Sequence, residues 1–205
     1  MINFTTLFKN HFDSGKISDD KLKVFSEDHI QRLNVNNGSG LFTAVINDTV
    51  AVHTEYFGHI TNEATSQAIQ KSRTASVDNI ISTFKEEVSR REGLIKSLFG
   101  KDSVTYLEFF PKGISEYSSA IKANIETLIN RMVNVATIHS AEVGADFIKA
   151  FTDIQTNYSS ARSEQLNKIG EVKATKTNVK TTRSALEMQL TKNLHFIGYT
   201  FPGDE

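Results

Sequence analysis

The stretch GADFIKAFTDIQTNYSSA, Gly144 to Ala161, sets Phe147, Phe151, Ile154, Tyr158 and Ala161 apart by steps of four and three residues. At 3.6 residues per turn that spacing keeps all five side chains on one face of a helix, and the polar residues between them fall on the other. The same stripe continues through Ile169, Val172, Val179, Leu186, Leu190 and Leu194, so a helix running from about 144 to 194 is expected, either straight or bent near Gly170. At 1.5 Å per residue it is about 75 Å long, more than a compact monomer of this size needs.

Working outward, Ile121, Ile125, Leu128, Met132 and Val135 carry the pattern within 114 to 139, with Ile129 and Ala136 widening the stripe. Val77, Ile81, Phe84, Val88, Ile95 and Leu98 repeat it in the first half, preceded by a polar stretch from Thr61 to Ser76 that reads as the solvated start of the same helix. Leu41, Val45, Thr49, Val52, Tyr56 and Ile60 also share a helical face. The β-branched content there, with Asn47-Asp48 at its centre, leaves a hairpin as the alternative, and the helix is the favoured reading.

Ahead of these, Phe4, Leu7, Phe8 and Phe12 form a short amphipathic segment. Ser18 followed by Asp19 and Asp20 is a helix start for Leu22, Phe25, Ile30 and Leu33. The expectation is therefore an all-α fold: an elongated up-and-down bundle of about four main helices, capped at one end by short N-terminal helices over 1–36. Residues 37–205 form the bundle within a single domain. Phe110-Pro111-Lys112-Gly113 and Phe201-Pro202-Gly203 each follow a long helix and an aromatic-rich exit, which allows the reading that 37–113 and 114–203 are tandem hairpins.

Composition narrows the chemistry. The 205 residues contain no cysteine, which removes disulfides, thiolate metal sites and cysteine nucleophiles. The net charge of −1 gives no global attraction to nucleic acid or anionic lipid. No apolar run approaches the roughly 20 residues of a membrane span, and the N-terminal stretch has no basic region followed by an apolar core, so the expected location is the cytoplasm.

Candidate sites are few. The segment Asp13 to Leu22 superficially suggests a calcium loop, but only Ser14 separates Asp13 from Gly15, and Lys21 stands where a bidentate glutamate is required. The serines sit in polar helical contexts without a nucleophile elbow, and Gly38-Ser39-Gly40 lacks the lysine of a phosphate loop. A metal site is conceivable from Glu55 and His59, four apart, converging with His139 and Glu142, three apart on another helix. Against it, Glu55 and His59 fall beside their apolar seam, and His139 fits a hydrogen-bonded residue near a helix end. No cofactor is called for.

Lys173, Lys176, Lys180 and Arg183 make a basic face on the last helix, flanking Val172, Val179 and Leu186. A solvated face, or one paired with Glu86, Glu87 and Glu92, is expected rather than nucleic-acid binding, because no aromatics are interleaved. The resulting functional expectation is a non-enzymatic helical protein acting through a protein partner or through self-association as a homo-oligomer, with coiled-coil-like seams. The alternatives are a helical enzyme or ligand binder with the His/Glu metal site, and a nucleic-acid binder using the basic face.

Overall fold

The computed structural model describes residues 9–13 and 15–203. Among them there are only helices: α1 Asp19–Val35, α2 Thr43–Phe99, α3 Val104–Phe109, α4 Ser115–Ser118, α5 Ile125–Ile138, α6 Ser140–Val143 and α7 Ala145–Thr200. The all-α expectation holds, with two helices far longer than the rest. Residues 41 to 60 are helical from Thr43 onward and not a hairpin, and the helix continues without a break through the polar stretch to Phe99. Two segments separated in the sequence reading are therefore one helix of 57 residues. No proline interrupts it, and Thr61 and Thr65 turn their hydroxyls back onto the carbonyls of Phe57 and Thr61. The last helix likewise runs through Gly170 as 56 continuous residues.

The expected helix over 114 to 139 is interrupted. Ser115–Ser118 makes one turn, and the next helix starts only at Ile125. Asn124 is responsible: its Oδ1 accepts the Ile121 backbone N–H at 2.8 Å, a local bond that competes with helix formation. Ile121, placed in the apolar stripe by its spacing, is consequently 60% exposed. After α6, Gly144 takes φ +81°, a positive-φ conformation that separates α6 from α7.

The chain forms two compact units. One comprises Ala68–Gly170, and the other combines the chain up to Gln67 with the chain from Glu171 onward. In the first, parts of α2 and α7 pack with α3 to α6 around Phe84, Tyr106, Phe109, Phe110, Tyr117, Phe147 and Phe151. Burial of these rings is the main stabilising term, each fully buried aromatic removing on the order of 150–250 Å² from water. Phe84 meets Phe151 edge-on at 6.1 Å, and the Tyr117 hydroxyl donates to the Phe109 carbonyl at 2.6 Å.

In the second unit, α1 packs with the N-terminal part of α2 and the C-terminal part of α7. Its N-terminus is set as the sequence suggests, with Ser18 Oγ accepting the Lys21 N–H and Asp19 and Asp20 in the first turn. Phe12, Leu22, Tyr56, Leu186 and Leu190 form one core, and Leu33, Phe42 and Ile46 a smaller one. Phe12 lies against Phe25, with ring centroids 5.2 Å apart. The other residues of that amphipathic segment, Phe4, Leu7 and Phe8, lie outside the described residues.

Candidate functional site

The four residues considered for a metal fall in two pairs that belong to different units. Glu55 and His59 approach each other at 3.8 Å, one helical turn apart, with Glu55 exposed. His139 turns away from Glu142: it ends α5, its Nε2 meets Glu108 Oε2 at 2.7 Å, and its ring packs on Phe99 and Phe109. Glu142 is exposed. Among the described residues, no group of three or more His, Asp or Glu side chains is placed to hold a metal ion.

The basic face divides by burial. Lys173, Lys176 and Lys180 are exposed, and among the described residues they form no ion pair. Glu87 pairs instead with Arg90 and Arg91, and Glu92 with Lys96 and the Tyr106 hydroxyl. The charged partners lie three or four residues away on α2 itself, so these two acids are satisfied locally.

Arg183 turns inward and joins the N-terminal segment to both long helices. Its Nη2 donates to the Ile17 carbonyl at 2.6 Å, its Nε to Glu187 at 2.8 Å, and its Nη1 to the Asp19 carboxylate. Asp19 also accepts from the Tyr56 hydroxyl at 2.5 Å. Burial, reinforced by the Asp19 carboxylate, pushes the Tyr56 phenol up to about 12, so it stays a donor. Glu187 is 4% exposed, and burial raises its pKa above the ordinary carboxylate value, with Arg183 opposing the shift.

A second polar chain lies toward the end of the same unit. Gln189 Nε2 donates to Asn193 Oδ1 at 2.9 Å, which fixes the amide orientation of Asn193. The Asn193 Nδ2 group then donates to Thr49 Oγ1 at 2.7 Å, and the Thr49 hydroxyl donates to the Val45 carbonyl at 2.6 Å. The remaining Asn193 N–H faces His29 Nε2 at 3.1 Å, so that ring nitrogen accepts and the proton of neutral His29 sits on Nδ1. Burial lowers the His29 pKa, which keeps the neutral form.

Sequence reading placed Tyr56 in an apolar stripe, Asp19 in a helix first turn and Arg183 on a solvated face. The spacing of four between Arg183 and Glu187 was the single local clue. Partnership with Asp19, 164 residues away, has no sequence signal.

The chain thus belongs to the class of all-α proteins with two dominant helices. Compared with family models, curated proteins and solved structures, it matches none of them. Among the described residues no helix is long and apolar enough to cross a membrane.

Proposed function

We propose that this is a non-enzymatic helical protein that works by associating with another protein, in the first instance a second copy of itself, in the cytoplasm. One observation carries the reading: α2 has a second apolar row that its own unit leaves in solvent. Ile69, Leu94 and Leu98 are 37%, 41% and 42% exposed. At 100° per residue they share a face, within about 40°, with Ile80, Ser76 and Glu87, so the row is apolar toward its two ends and polar between them. The core row of Val77, Ile81, Phe84, Val88 and Ile95 lies about a quarter turn away, and of the second row only Ile80 packs against that core. Scattered exposed apolar residues need no explanation, whereas an aligned set on a long helix is what a helical partner reads.

Light scattering coupled to size exclusion tests the proposal over a concentration series. The expected result is a mass at least twice 22.9 kDa for the natural chain. The combined variant Ile69→Glu, Leu94→Glu and Leu98→Glu is expected to run as a monomer with unchanged helicity by circular dichroism. A monomeric natural chain at every concentration removes self-association. A variant that associates as the natural chain does removes this row as the interface.

A further inference from the structure

The end of the second unit contains a pocket of about 530 Å³ between the C-terminal halves of α1 and α7. That volume lies within the range of small-molecule sites. Leu33 and Phe42, both buried, and the partly buried Ile197 give it an apolar floor, and Phe201 closes one side. Phe42 is held by design of the connector before it: Asn37 Oδ1 accepts the Phe42 N–H at 2.8 Å, while Asn37 Nδ2 donates to Thr43 Oγ1 at 3.0 Å. Phe196 braces the same ring edge-on at 6.2 Å. The Asn36 to Gly40 stretch is therefore the clip that sets an aromatic wall.

Gly198 is the second observation. It sits inside α7, where glycine costs roughly 1 kcal/mol relative to alanine. Packing does not require it, because a Cβ built there meets nothing within 4 Å. Gly198 is exposed and lines the pocket, so a bulky side chain at this position would take up part of its open side.

The polar edge limits what fits. The Asn193 amide occupies His29 Nε2 and leaves the Nδ1 proton as the donor that this pocket-lining ring has to offer. A cationic ligand would find no carboxylate among the described lining residues to offset its desolvation. An anion would meet the carbonyl ends of α1 and α7, whose partial negative charge opposes it, and Arg32 is already paired with Asp28 at 2.7 Å. We infer that this pocket binds an uncharged, flat, largely apolar molecule bearing one hydrogen-bond acceptor, seated on Phe42 and Leu33 and accepting from His29 Nδ1.

The test uses the full chain and the uncharged fluorescent ketone 6-propionyl-2-dimethylaminonaphthalene as probe, followed by emission shift and by isothermal titration. Saturable binding at one probe per chain is expected. Gly198→Leu should weaken it at least tenfold while preserving or raising thermal stability, because leucine is a better helix former that fills the space. Gly58→Leu is the matched control: Gly58 is also helical with nothing within 4 Å of a Cβ, and its variant should bind as the natural chain does. The propyl analogue lacking the carbonyl should bind about tenfold more weakly, since the His29 donor is then left unpaired. No saturable binding, equal binding by Gly198→Leu, or loss in Gly58→Leu to the same extent overturns the site. Equal binding of the propyl analogue overturns the role of His29, and tighter binding of a carboxylate analogue overturns the uncharged class.

Discussion

Residues 68–170 close around a set of phenylalanine and tyrosine rings, whereas the unit made by the two ends of the chain threads its core with polar side chains. Of the buried polar residues described, Ser26, Thr49, Thr182, Glu187, Thr191 and Asn193 all belong to the latter, and Gln165 alone to the former. The same two long helices supply both cores, so the difference comes from side chains and not from the backbone. An aromatic core is stabilised by area removed from water and tolerates no void. A polar core contributes little net energy per bond, but each bond specifies one partner and is costly to leave unmade. The comparison predicts that the two units fail in different ways.

Phe84→Ala should have the largest effect. Phe84 is fully buried and touches Phe151 and Tyr117, so truncation removes both its transfer energy and its ring contacts. A loss of about 3–5 kcal/mol is expected, read by denaturant unfolding. Loss below 1 kcal/mol would mean that the aromatic cluster can collapse into the gap, and that its packing is not what holds this unit.

Arg183→Met should come next, and for the opposite reason. The variant keeps the aliphatic stem but removes the Arg183 donor from Glu187, the Ile17 carbonyl and Asp19, of which Asp19 keeps the Tyr56 hydroxyl. Breaking a buried pair on one side costs several kcal/mol, and because Asp19 is half-exposed the expected loss is about 2–3 kcal/mol. Hydrogen exchange sharpens the contrast. Amides of α1 should lose protection more than those of α5, since Arg183 ties Ile17 and Asp19 to the long helices and touches nothing in α5. Equal loss in both helices would remove the distinction between the units.

The stripes that became the aromatic core were legible because apolar periodicity is written along one helix at a time. Phe84 and Val88, or Phe147 and Phe151, declare their face within two turns. Breaks were harder to read. Asn124 stops the helix by bonding its own neighbour Ile121, and an asparagine in a periodic stretch announces this only weakly. The missing break near Thr61 misled in the other direction, because polar composition resembles a boundary even where no proline or local bond ends the helix. The candidate sites were least legible. His139 and Glu142 share a spacing of three, yet the ring turns to Glu108, which is 31 residues away and brought there by folding. The Asn193–His29 and Arg183–Asp19 contacts are of the same kind: single polar pairs at long range carry no periodicity.

The smallest expected effect concerns pH. Burial raises the Glu187 pKa in the folded chain above its unfolded value, so the folded state holds this proton more tightly than the unfolded state does. The contribution of Glu187 to stability is therefore fully present below its unfolded pKa and is lost as pH rises through the folded one. Carboxylates with lowered values, such as Glu87 and Glu92, run the other way: their contribution is present above the unfolded pKa and fades as pH falls through the folded one. Glu187→Gln retains an oxygen to accept from Arg183 and removes the ionisation. Its stability relative to the natural chain should rise as pH increases from about 4 to 7 and then level off, by less than about 1 kcal/mol in total. A difference that stays constant across this range would mean that Arg183 fully offsets the burial of Glu187. The polar core would then carry no pH dependence from its one deeply buried carboxylate, and the acid sensitivity of the chain would rest on partly buried carboxylates of the aromatic unit such as Glu87 and Glu92.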